Sequence, residues 1–162
     1  NPKAPLKRIV LEAVEALKEQ FGHQYSQAYD LATMLRHAVT LSENQTIRSM
    51  DVMERIRCEN AAQVLAGAIY ACLVSHSDFD RAMIVAVNHS GRSAAVGALT
   101  GALLGTALGA EALPEFYLES LQAAPILEQL AADLAQGSPT TGLFDDDWDH
   151  KYVQGLPVHL DQ

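Results

Sequence analysis

Six consecutive residues, Asn88-His89-Ser90-Gly91-Arg92-Ser93, place an amide, an imidazole, two hydroxyls and a guanidinium around one glycine. Ser93 precedes an uncharged run that reads as helix, and a serine in that place predicts an N-cap. The first N–H groups of a helix have no intrahelical acceptor and sit at the positive end of its dipole. The segment is therefore a candidate anion site, held by backbone N–H groups and the Arg92 guanidinium. The plainer alternative is a capped helix start with a glycine turn. The chain has six histidines, and His89 alone lies in this loop. As a general base it needs an orienting partner that the sequence does not identify, so the expectation is a structural or ligand-contacting role.

The elements that must hold this loop are two apolar helices. One runs from Arg81 to its start. The other, built from small residues, carries Gly97, Gly101, Gly105 and Gly109 at four-residue spacing. That spacing draws them into one slowly drifting stripe, where a neighbouring backbone can approach. Each glycine costs a helix up to about 1 kcal/mol relative to alanine. The expectation is tight packing along the stripe, with this helix at the centre of the domain. The eighteen uncharged residues from Ser93 to Ala110 raise a membrane span, but they are mostly Gly, Ala and Thr, and a buried core helix is the better reading.

Elsewhere, Leu6, Ile9, Val10, Ala13, Leu17 and Phe21 follow the period of one helical face, with Gly22 just past the end. A second amphipathic helix spans Tyr25 to Thr40 with Leu31, Leu35 and Val39 inward and His37 at a surface or satisfied in the core. Ser42-Glu-Asn-Gln45 is a capping-box candidate for a helix carrying Ile47, Met50, Met53 and Ile56. A helix from Glu59 to Ser75 follows, and Ser77 is placed to cap the next. After Pro114 come a short helix through Phe116 and Leu121 and an apolar stripe of Ile126, Leu127, Leu130 and Leu134. No segment alternates at period two, which predicts an all-α fold. Residues 1–137 read as one helical domain, and 138–162 as a polar acidic tail docked on it through Trp148 and Tyr152. Asp145, Asp147 and Asp149 imitate the start of a calcium loop, but His150 and Leu156 occupy its glycine and glutamate positions, so that reading fails.

The 162 residues are 49% hydrophobic and 19% charged, enough for one core. A net charge of −9 with no basic cluster argues against nucleic acid or an anionic membrane as partner. Cys58 and Cys72, read as lying largely on one helix and so roughly 21 Å apart, are expected to be free thiols in a cytoplasmic setting. The first five residues contain no secretory apolar region.

Ala86-Val-Asn-His-Ser-Gly91, Gly101-Ala-Leu-Leu-Gly105, Ala112-Leu-Pro-Glu115 and Leu127-Glu-Gln-Leu-Ala-Ala-Asp-Leu134 closely resemble the C-terminal half of the ADP-ribosylglycohydrolase family. Ala66-Gly-Ala-Ile-Tyr70, Asp78-Phe-Asp-Arg-Ala82 and Trp148-Asp-His-Lys-Tyr152 extend the likeness, which runs from about residue 45 to residue 152. The resemblance implies an all-α bundle and two magnesium or manganese ions that help cleave the glycosidic bond between ADP-ribose and a side chain. It also implies a metal loop reading Asp, small residue, Asp, Ser or Thr after Asn-His-Ser-Gly. Here those positions are Arg92, Ser93, Ala94 and Ala95. The family's paired glutamates fall on Ala62 and Gln63, and its Thr-Asp-Asp loop has no counterpart. Hard divalent ions need several oxygen ligands, and an arginine in a carboxylate's place adds a repulsion of several kcal/mol at an effective dielectric of about 20. No metal cofactor is expected.

Three functions follow. The first is a catalytically degenerate domain, kept to bind ADP-ribose or another anion through Asn88, His89, Ser90, Gly91, Arg92 and Ser93, or kept as a scaffold. The second is an active metal-dependent hydrolase completed by a missing or separate N-terminal half. The third is an assembly domain that buries apolar helix faces in a homo-oligomer or against a complementary chain.

Overall fold

The computed structural model describes residues 5–44, 46–76, 78–119 and 121–135, and among these it is helical with no strand, as the periodicity predicts. The α-helices are α1 (Leu6–Phe21), α2 (Gln27–Glu43), α3 (Ser49–Ile56), α4 (Ala61–Val74), α5 (Phe79–Val87), α6 (Ser93–Leu108), α7 (Glu115–Glu119) and α8 (Ala124–Ala135). The chain divides after Pro114 into two units. This boundary falls ahead of residue 137, where the composition changes. The tail from 138, with Trp148, Tyr152 and the Asp145–Asp149 stretch, lies outside the described residues, as do Gln45 and Ser77.

The centre of the first unit is α4 rather than α6. It contains no charged residue, and every position from Ala66 to Cys72 is buried. A helix that is apolar all round belongs in an interior, and α4 packs against α1, α2, α3, α5 and α6. Its start is fixed by Asn60, whose Oδ1 accepts from the Gln63 N–H at 3.0 Å. The Gln63 Oε1 in turn accepts from the Glu59 N–H at 2.9 Å, an exchange of the capping-box kind.

By contrast, α6 makes its main contacts with α4 and α5, apart from the 3-10 turn Ala110–Ala112 that follows it. It buries Val96, Gly97, Thr100 and Leu104 and leaves the other side open. Added Cβ atoms at Gly101, Gly105 and Gly109 meet nothing within 4 Å, so the expected tight stripe is realised only at Gly97, where Val87 lies 3.0 Å away. Gly109 instead ends α6 with φ +85°, a conformation suited to glycine.

Other differences have local causes. The buried face of α1 is Val10 and Val14 flanked by Leu6, Leu11 and Leu17, while Ile9 and Phe21 stay exposed, because α1 packs mainly on α2 and, less, on α4. Ser42 lies inside α2, its hydroxyl donating to the Val39 carbonyl at 2.7 Å, so it does not cap α3. Cys58 is not on a helix with Cys72, since α3 ends at Ile56 and the backbone turns at Arg57 and Cys58 with φ 71° and 51°. Both thiols are free and buried. No described helix is long and apolar enough to cross a membrane.

In the second unit, the Phe116 and Tyr117 rings meet edge to face at 5.2 Å. Pro125 lies in the first turn of α8, where its missing N–H costs no intrahelical bond. Ile126, Leu127 and Leu134 are exposed.

Candidate functional site

The side chains of Asn88, His89 and Ser90 and the backbone N–H groups of residues 90–93 are committed to holding the loop itself. The Asn88 side chain donates to the Ile84 carbonyl at 2.7 Å and closes α5. The His89 Nε2 lies 3.0 Å from the Ala86 carbonyl, and the Gly91 N–H points at His89 Nδ1, also at 3.0 Å. A carbonyl can only accept and an amide N–H can only donate, so Nε2 carries the proton and Nδ1 is the acceptor. The imidazole is a neutral brace across the turn.

Ser90 donates twice to one carboxylate, from its N–H to Glu54 Oε1 at 2.8 Å and from its hydroxyl to Glu54 Oε2. The Arg92 N–H donates to the Cys58 carbonyl at 2.9 Å, and that of Ser93 to the Gly91 carbonyl at 2.8 Å. Ser93 is the first helical residue of α6 and not its cap; Arg92 holds the cap position with no side-chain cap bond. The free N–H groups expected at residues 90–93 are thus all taken. The open donors move one step along, to Ala94 and Ala95, whose N–H groups have no acceptor among the described residues.

Sequence reasoning missed Glu54 and the 57–58 turn. Glu54 is exposed on α3, thirty-six residues from Ser90, and a lone glutamate on a helix face carries no signal of such a partner. Its two bonds, the hydroxyl first and the amide second, hold its carboxyl below the usual carboxylate value. The left-handed turn at Arg57 and Cys58 uses residue types that rarely adopt it, so it too is silent in sequence.

Two glycines close on Cys58. An added Cβ at Gly91 lies 2.1 Å from the Arg57 carbonyl oxygen and 2.9 Å from Cys58 Cβ; one at Gly67 lies 2.6 Å from Cys58 Sγ. Only glycine lets α4, the 57–58 turn and the 88–93 loop come this close. Burial pushes the Cys58 thiol up to about 11 and the Cys72 thiol to about 12, which keeps both protonated and unreactive at neutral pH.

What faces outward at the start of α6 is the exposed Arg92 guanidinium, unpaired among the described residues, beside exposed Ala94 and Ala95. This arrangement suits an anion: a planar cation, two open N–H groups and methyl side chains that leave the helix end accessible.

A family model described as ADP-ribosylglycohydrolase matches residues 2–143, and the chain belongs to that family. The match begins well ahead of residue 45, taking in α1 and α2. No curated protein and no solved structure matches the chain. The two divalent ions implied by the family resemblance require a cluster of oxygen donors. At this loop Arg92, Ala94 and Ala95 supply none, the one carboxylate present has both oxygens engaged by Ser90, and Gln63 is used in capping α4. Among the described residues no group of three or more His, Cys, Asp or Glu side chains is placed to hold a metal. The described residues at this loop therefore offer no oxygen cluster of that kind.

Proposed function

We propose that this chain is an ADP-ribosylglycohydrolase-family domain that has lost metal-dependent turnover and retains a weak site for ADP-ribose or a similar phosphate-bearing anion at Arg92 and the first turn of α6. The observation that carries this reading is the reversal of charge. Where the family resemblance expects carboxylates to attract cations, this loop presents a guanidinium and two unoccupied N–H groups. Glu54, close to Ser90, opposes an anion and keeps affinity low. His89 contributes as a brace and not as a base, since both ring nitrogens are in use.

Calorimetry with millimolar ADP-ribose tests the proposal. The expected result is weak binding, unchanged by magnesium and lost in Arg92→Asp. No heat at millimolar ligand removes the ligand part of the reading.

A second reading, assembly, is favoured by the exposed Ile84, Val87 and Leu99 on α5 and α6, beside the open side of the uncharged α6. It expects a dimer or larger species in light scattering, and a sharp monomer counts against it.

A further inference from the structure

A cavity of about 240 Å³ opens between α2, α3 and α4, and it shares none of the residues that form the Arg92 site. Its most buried members are Ala38 of α2 and Ala66 of α4, two small side chains where anything larger would fill the space. Met34, Leu41 and Ile56 complete an apolar lining. An apolar cavity of about 150 Å³ is enough for a benzene ring, so this one takes a ring together with a small substituent.

The polar side chains around it, His37, Arg55 and Gln63, can each donate a hydrogen bond, and Arg55 is a cation. His37 and Arg55 are exposed, and Gln63, with its Oε1 given to the Glu59 N–H, has its amide NH₂ left to donate. Arg55 has no carboxylate partner among the described residues: the nearby Asp51 is held by Arg48 through two bonds of 2.9 and 3.0 Å. Among the described residues no Asp or Glu lines the cavity, in a chain with a net charge of −9. An apolar recess with a few convergent donors and no acceptor acid is complementary to a compact molecule with an apolar body and one negative group.

We infer that this cavity binds a small organic acid, an aromatic or similarly compact carboxylate, with its apolar body against Ala38 and Ala66 and its carboxylate on Arg55, assisted by His37 and Gln63. The inference stands apart from the proposed function. It does not need ADP-ribose binding, and it assigns a second, chemically different ligand.

Amide chemical-shift titration with benzoate tests it on the intact chain. The expected result is saturable shifts at Ala38 and Ala66 at millimolar benzoate, with affinity reduced about tenfold in Arg55→Gln, the loss of one charge-assisted bond. Benzamide, equal in shape and uncharged, should bind about tenfold more weakly, and Arg92→Asp should bind benzoate as the parent does. Arg55 is exposed, so its replacement leaves the core intact. Shifts that do not saturate, benzamide binding as well as benzoate, or an Arg55→Gln variant with unchanged affinity would each overturn the inference. So would loss of binding in Arg92→Asp, which would place the acid at the α6 loop instead.

Discussion

Helices α4 and α6 are both uncharged and both rich in alanine, yet one is enclosed and the other half open. The difference lies in neighbours: α4 makes its main contacts with five helices, and α6 makes its main contacts with two. The glycines divide the same way. Gly67 of α4 and Gly91 of the loop close on Cys58 and Arg57, whereas Gly101 and Gly105 of α6 face open space. A glycine stripe in sequence marks where close approach is permitted, not where it happens.

Substitution by alanine sharpens this contrast, and the largest effect is expected at the loop. In Gly91→Ala the new methyl meets the Arg57 carbonyl, which is backbone and cannot swing aside. Overpacking together with loss of the Arg92 N–H bond to Cys58 should destabilise by about 2–4 kcal/mol in chemical denaturation. Gly67→Ala presses on the Cys58 sulfur and should cost about 1–3 kcal/mol. In α6 the sign reverses. Gly101→Ala meets nothing and should stabilise by about 0.5–1 kcal/mol, the ordinary helix preference for alanine. Equal destabilisation at Gly67 and Gly101 would remove the distinction between the helices.

The smallest effect concerns Glu54. Its carboxyl is depressed in the folded chain by the Ser90 bonds, so its contribution is present above the unfolded value near 4.5 and is lost as pH falls through the lower folded value. The Ser90 amide resonance should titrate below 4.5, and Glu54→Ala should speed its hydrogen exchange while leaving α4 amides unchanged. Titration at or above 4.5 would mean the carboxylate does not hold the loop.

Much of the fold was legible because it rests on local period and end signals. The 3.6-residue repeats located α1, α2 and α4 to within a few residues, and Gly22 marked the end of α1. Burial was less legible. Ile9 and Phe21 share a helical face with Val10, but which half of that face is covered depends on where α2 and α4 lie. The candidate loop stands in the sequence as a contiguous string, and the replacement of its expected carboxylates is read there from Arg92, Ala94 and Ala95. What holds it was not, because Glu54 and Cys58 reach it from across the chain and Arg57 and Cys58 turn without a glycine.

The proposal that hydrolysis has been lost rests on the loop being unable to gather divalent cations. Equilibrium dialysis against manganese, followed by metal analysis of the intact chain, probes it most directly. The expected result is no ion retained above the level of an Arg92→Ala control. Two manganese ions per chain, with release of ADP-ribose from modified arginine that depends on them, would contradict it.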